Sequence, residues 1–358
     1  MADFDYGNAR LRAMKARLLS RRELDTLTGA GSLEGLIAAL TQTVYRKPVE
    51  TALARMTGMD CINQALHDDL VSTLGSTRRF FDGPAGEMAA IVLRTYDVHN
   101  LKTILRGLAK NTPSGEILPA LLPVGEIQVD ILQQLTRVSE PRAAIDILAT
   151  LGQPIAQPLL KLRAEKPGAE TYQMELVLEQ WHFEQGMKTL KEGPASSRLL
   201  KAALELEVDL KNLLTSLRFA HAPLERKFLR QQTGSDDLRQ LLIGPGRLSL
   251  DLLARAGEQV TLNAAIEVLT DTPYKDLLSS GLEDYTHSGS LSDIEKRFTR
   301  FQLNWMGAQL SKDPLGIGVL LGYHALKTNE IANIRWIAQG INMGLKAEAI
   351  QGEVRFAA

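Results

Sequence analysis

Residues 95–107 read TYDVHNLKTILRG. The apolar residues read as one helix, yet Asp97, His99, Asn100 and Lys102 interrupt them. Much the same pattern returns twice. DVHNLKTILR begins at Asp97, DLKNLLTSLR at Asp209 and EIANIRWIAQ at Glu330, at offsets of 112 (209 − 97) and 121 (330 − 209). Each reads acid-x-x-Asn, then Leu or Ile, then a short apolar run ending in Arg, Arg or Gln. A second landmark precedes each: LTQTVY at Leu40, a degenerate LATLGQ at Leu148 and LTDTPY at Leu269. The distances from landmark to acid are 57, 61 and 61 residues (97 − 40, 209 − 148, 330 − 269). Two landmarks in phase, three times, indicate three helical repeats, each large enough to be a domain. The expected division is 1–115, 116–235 and 236–358.

Positions i and i+3 share a helix face, so Asp97 and Asn100, Asp209 and Asn212, and Glu330 and Asn333 each point one way. A buried Asn without partners costs on the order of 1–3 kcal/mol. These six residues are therefore expected to tie each helix to neighbouring backbone, a structural role repeated because the fold repeats.

Helical patterns fill most of the remaining chain. Short Gly/Pro punctuation separates them: DGPAGE, KNTPSGE, KPGAE, EGPAS, GPGR, DTPY and KDPLGIG. Segments 170–192 and 194–219 read as long helices. Ser32 with Glu34 opens a helix running towards LTQTVY, and Pro48 sits at the start of another. Aromatics are only 5% and no sustained strand alternation occurs, so the class is all-α. Residues 6–20 form a first helix, with Leu11, Met14 and Leu18 on one stripe. Arg10, Arg17 and Arg21 fall on one side of it, and Arg12, Lys15 and Arg22 on the other.

The 358 residues exceed what one core usually covers. A net charge of −1 argues against a nucleic-acid partner. Cys61 is the single cysteine, so a reducing, cytoplasmic compartment is expected. MADFDYG is not a secretory signal. The longest apolar run, PLGIGVLLGY at 314–323, has about half of the roughly 20 residues a membrane span needs.

Chemistry-bearing motifs are absent: no GxxxxGK[ST], HExxH, GxSxG or clustered Cys/His, so no cofactor, metal or catalytic residue is assigned. Gly316, Gly318 and Gly322 lack the spacing and the preceding strand of a dinucleotide loop, and fit close helix packing. His182 and Glu184 form an HxE without companion cysteines. Trp181, Trp305 and Trp336 lie on apolar stripes and are expected in the core.

With these residues in hand, the sequence resembles the C subunits of archaeal and bacterial A/V-type ATP synthases, relatives of the d subunit of the eukaryotic V-ATPase. The resemblance rests on Tyr6, Ala9, Arg10, Arg12 and Lys15 leading to Leu18-Leu19, then Leu40 to Tyr45. It continues through Asp97, Asn100, Leu101, Lys102 and Arg106, and Pro314 to Tyr323. Lys327, Glu330, Asn333, Arg335 and Gly340 complete it. It implies a non-catalytic rotor part, a funnel of three similar helical domains. The central axle subunits would enter its mouth, and its base would sit on the cytoplasmic face of the membrane proteolipid ring. Such a protein is peripheral to the membrane and serves proton or sodium transport. Tyr6, Arg10, Arg12 and Lys15 are the partner-interface candidates. Two rival readings compete with it. A free-standing helical-repeat scaffold would usually have repeats of about 30–50 residues, and an all-α enzyme would need the carboxylates to converge in a pocket.

Overall fold

The computed structural model describes residues 3–190, 195–222, 227, 237–244 and 246–357. Among them the regular structure is helical and no strand occurs. The expected boundary at 235/236 lies outside the described residues. Helix α1 spans Asp5–Lys15, and three successive sets of five helices follow. The first set is α2 (Arg21–Thr28), α3 (Leu33–Leu40), α4 (Arg46–Leu53), α5 (Gly58–Thr77) and α6 (Gly83–Ala109). A single turn, α7 (Ser114–Ile117), leads to α8 (Val129–Leu135), α9 (Pro141–Thr150), α10 (Ala156–Glu165), α11 (Thr171–Thr189) and α12 (Ala195–His221). The third set is α13 (Leu250–Gly257), α14 (Leu262–Val268), α15 (Lys275–Ser288), α16 (Leu291–Lys312) and α17 (Gly318–Asn342), with α18 (Ala347–Glu353) after it. No helix of the described residues is long and apolar enough to cross a membrane.

The landmarks are turns between short helices. In LTQTVY, Thr43 Oγ1 donates to the Leu40 carbonyl at 2.7 Å and accepts the Tyr45 N–H at 3.1 Å. Thr272 does the same in LTDTPY, at 2.7 Å to Leu269 and 3.3 Å from Tyr274. LATLGQ lacks that Thr, and its turn is made by Gly152 at φ 65°, with Gln153 N–H donating to Leu148 O at 2.9 Å. Leu40, Leu148 and Leu269 are all fully buried beneath the turns.

The expected helix over 6–20 stops at Lys15. Arg17 and Leu18 close short turns back to Met14 and Lys15, and Ser20 caps α2 in a reciprocal capping box with Glu23. Arg21 and Arg22 therefore belong to α2, and the two cationic faces read across 10–22 do not form one helix surface. The S-x-x-E signature is present in the sequence.

The chain packs as two compact units. Unit 1 holds the residues up to Asn100, Leu118–Gln134 and everything from Leu303; unit 2 holds Leu101–Ile117 and Leu135–Gln302. In unit 1, α17 is packed by α1, α2, α3, α5 and α18. In unit 2, α12 is packed by α11, α13 and α14. The long helix closing one set thus packs against the short helices that open another. The glycines of 316–322 allow close packing in unit 1: a Cβ on Gly322 would fall 2.5 Å from Leu310 Cγ and 3.1 Å from the Met306 carbonyl. The tryptophans depart from expectation. Trp181, Trp305 and Trp336 are only half-buried.

Candidate functional site

The six repeated polar residues do one job three times. Asn100 in unit 1 grips Leu122 by both backbone groups: its Nδ2 donates to the carbonyl at 2.8 Å and its Oδ1 accepts the N–H at 2.7 Å. Asn212 in unit 2 grips Ile243 the same way, at 2.6 and 2.8 Å. Asn333 in unit 1 grips Arg355, at 2.7 and 3.0 Å. Each Asn is at most 3% exposed, so its own amide and the gripped peptide are satisfied together.

The acid one turn earlier takes the N–H groups just before the next helix. Asp97 accepts from Glu126 at 2.8 Å and Ile127 at 3.1 Å. Asp209 accepts from Arg247 at 3.0 Å, Leu248 at 3.1 Å and the Tyr274 hydroxyl at 2.7 Å. Glu330 accepts from Leu19 N–H and, at 2.6 Å, from the Tyr45 hydroxyl. A glycine makes room for each aspartate: a Cβ on Gly125 would fall 2.2–2.4 Å from the Asp97 carboxyl atoms, and one on Gly246 2.3 Å from Asp209 Oδ1. The paired segments, LLPVGEI from Leu121 and LIGPGRL from Leu242, form a third landmark besides the acid-x-x-Asn helix and the Thr-closed turn.

Glu330 belongs to a buried charged cluster in unit 1. Lys327, its side chain 5% exposed, donates to Glu330 Oε1 and to the Tyr45 hydroxyl, both at 2.8 Å. Asp69 Oδ2 lies 2.7 Å from the same ammonium, an ion pair off the line of a hydrogen bond. Burial pushes the Asp69 carboxyl up, and Lys327 opposes that. Burial, then the nearby Glu330 and Asp69 carboxylates, hold the Tyr45 phenol well above its ordinary value, so it stays a donor. Asp69 carries no sequence signal, because its partners are tertiary.

Burial also raises Asp97, to about 6 from an ordinary value of 3.8, although two backbone N–H groups favour its ionised form. Unlike Asp209 and Glu330 it has no tyrosine donor among its hydrogen bonds, and the matching landmark position is Gln153. A raised folded pKa means that the folded state holds its proton more tightly than the unfolded one. This contribution is therefore full below about pH 4 and is lost as pH rises through about 6, by on the order of 1–3 kcal/mol. Asp97→Asn removes that component, so subtracting its urea-denaturation profile from that of the parent between pH 4 and 7 should leave this slope. A flat difference would show that Asp97 titrates normally.

Asp97 and Glu330 lie in unit 1 and Asp209 in unit 2, and each is engaged with backbone. No group of three or more metal-ligating side chains occurs among the described residues. His182 is buried against Phe183, with ring centroids 4.9 Å apart. Glu184 instead lines an open groove of about 680 Å³ between α10 and α11, beside Trp181, Lys161 and Lys188. Lys102 and Arg106 are engaged inside unit 2: Lys102 pairs with Glu179, and Arg106 meets Glu175 at 2.8 Å.

The interface candidates gather on α1. Asn8 anchors the helix inwards, its Nδ2 donating to Gly316 O at 3.0 Å, and Arg12 donates to Pro314 O. Tyr6 is 63% exposed and meets the Phe80 ring edge-on at 6.2 Å, while the Arg10 guanidinium lies 5.4 Å from that ring's centroid. Lys15 and Arg17 are exposed, and Leu315 beside the Arg12 contact is 73% exposed. No ion pair engages Arg10, Arg12, Lys15 or Arg17 among the described residues.

Comparison with known proteins places this arrangement. The family model described as ATP synthase (C/AC39) subunit matches residues 7–353. The chain is 27% identical to the C subunit of the A-type ATP synthase of Methanosarcina acetivorans over 356 residues, covering 99% of this chain and 93% of that one. The C subunit of the V-type ATP synthase of Deinococcus radiodurans is 24% identical, with 99% and 91% covered. Its A-type counterpart from Methanocaldococcus jannaschii is 25% identical, with 98% and 86% covered. A match running from the first turn of α1 to the end of α18 covers all three sets of helices, and the chain belongs to the ATP synthase (C/AC39) subunit family.

Proposed function

We propose that this chain is a non-catalytic central-stalk subunit of a rotary A/V-type ATP synthase. It stands between the central axle subunits of the soluble head and the membrane proteolipid ring, and carries torque coupled to proton or sodium transport. Three helical repeats, divided as 1–115, 116–235 and 236–358, form its body in a funnel-like, pseudo-threefold arrangement. It works as a cytoplasmic, peripheral component of the complex. The observation that supports this reading is the family match over residues 7–353. The engagement of every repeated carboxylate and amide with backbone is consistent with it, because close-packed helices pinned at their connections make a stiff body.

The test is co-purification. The tagged chain is expressed with the axle subunits and proteolipid ring of its source, and the product is weighed by native mass spectrometry. One copy joined to both is expected; a chain that binds neither overturns the reading. Within that complex, Tyr6, Arg10, Arg12 and Lys15 form the proposed contact face. Arg10→Glu with Lys15→Glu should weaken assembly about tenfold at low salt, with an unchanged melting temperature because both side chains are exposed. Unaltered assembly would remove α1 from the interface, and lost helicity would make the effect one of stability.

A further inference from the structure

Where α9, α10 and α11 meet in unit 2 lies a cavity of about 470 Å³, open on one side. Its floor is apolar: Ile145, Leu159 and Leu162 are at most 9% exposed, and Met174 adds a half-buried thioether. Its rim carries Arg142, Arg163 and Lys166, and no carboxylate lines it. The acids nearby in sequence are engaged elsewhere. Asp146 meets Arg163 at 2.7 Å, Glu165 lies 3.9 Å from Lys161, and Glu170 caps α11. Arg142 and Lys166 are exposed and have no ion pair among the described residues. The turn that carries Lys166 is already closed, its N–H donating to Leu162 O at 2.7 Å and its carbonyl accepting from Ala169 at 3.0 Å.

The repeat shows what is particular to this place. Six residues before the buried landmark leucine, at the second position of a short helix, the first set has Glu34 (40 − 6) and the third Asn263 (269 − 6). The second set has Arg142 (148 − 6). A helix dipole favours an acid in that turn and disfavours a cation. Two residues earlier, Ser32 and Thr261 cap α3 and α14, accepting from Gly35 at 3.0 Å and Ala264 at 3.2 Å. Glu140 stands there in the second set, and no side chain caps α9. Helix α9 thus begins uncapped, with a cation that its own fold does not use, at the edge of an apolar cavity.

We propose that this cavity binds a small amphipathic anion, a single carboxylate on an unbranched apolar chain of the fatty-acid class. The carboxylate is held by Arg142 and Lys166, and the chain lies over Ile145, Leu159 and Met174. An arginine fork suits two carboxylate oxygens. The floor offers nothing to a free inorganic anion, and the rim disfavours a neutral lipid less strongly than it favours an acid. A concave site of this volume is of small-ligand size, whereas a protein partner would bury a broader face.

The test is calorimetric titration of the full chain at pH 7 with decanoate, kept well below its micelle threshold. One site with a Kd of about 0.1 mM is expected for a ligand of this size. Decanol, of equal length but neutral, should bind about tenfold more weakly, and acetate not at all. Arg142→Glu, which restores the acid of the first set, should weaken decanoate about tenfold or more without lowering the melting temperature, because the dipole favours it. Lys166→Ala, in the exposed turn, supplies a second variant with the same expected loss should the first one fold poorly. No decanoate binding overturns the proposal. So does decanol bound as tightly as decanoate, which would make the cavity merely greasy, or binding that both variants leave unchanged. Capture of an acidic, leucine-bearing peptide in place of decanoate would make the cavity a protein contact and also overturn it.

Discussion

Lys327→Met should cost the fold about 3–5 kcal/mol, the largest loss expected from any single substitution in this chain. The ammonium is held by two carboxylates and a phenol, and its side chain is 5% exposed. Methionine fills most of the volume but leaves Asp69 and Glu330 facing each other in a site whose burial already disfavours an ionised Asp69. The loss should appear in urea denaturation at pH 7, and Asp69→Asn in the same chain should restore part of it by removing one unpaired charge. A loss below about 1 kcal/mol would mean that water reaches the cluster and that the ion pairs add little.

Asn212→Ala should cost about 2–4 kcal/mol, because it removes the partner of two buried backbone groups at once. The Asn212 amide holds both the carbonyl and the N–H of Ile243, and Ile243 is itself buried. Asn212→Asp separates the two bonds. It retains an acceptor for the N–H but sets a carboxylate against the Ile243 carbonyl, so it should be no more stable than alanine at pH 7. The same truncation at Asn100 and Asn333 tests equivalence: three losses within about 1 kcal/mol of one another are expected if the three grips are one device. A near-neutral Asn333→Ala would show that the Asn329 amide, which reaches the same Arg355 carbonyl at 2.9 Å, can take over there.

Local patterns mark the acid-x-x-Asn helices and the LTxTxY turns in the sequence, since a helix face and a Thr-closed turn are set by residues three to five apart. The third landmark, Leu-(Leu or Ile)-x-x-Gly-x-(Ile or Leu), is hidden there because it occurs only twice, as LLPVGEI and LIGPGRL, and the third Asn and acid meet residues without it. The tryptophans fall outside the expected core because periodicity says which face is apolar, and says nothing about how far the neighbouring helix covers it. A single helix over 6–20 passes over Ser20 and Glu23, whose capping box competes locally with helix continuation.

By itself the sequence determined the all-α class, the acid-x-x-Asn helices, the Thr-closed turns and the family resemblance, because each of these is written in short-range spacing. Only the tertiary structure decided which acid meets which tyrosine and which backbone. Tyr45 and Glu330 are 285 residues apart, and Leu19 and Glu330 are 311 apart. No spacing rule reaches that far. Such pairs form because α17 is enclosed by the N-terminal helices of unit 1, where burial leaves a carboxylate only the partners that folding brings to it.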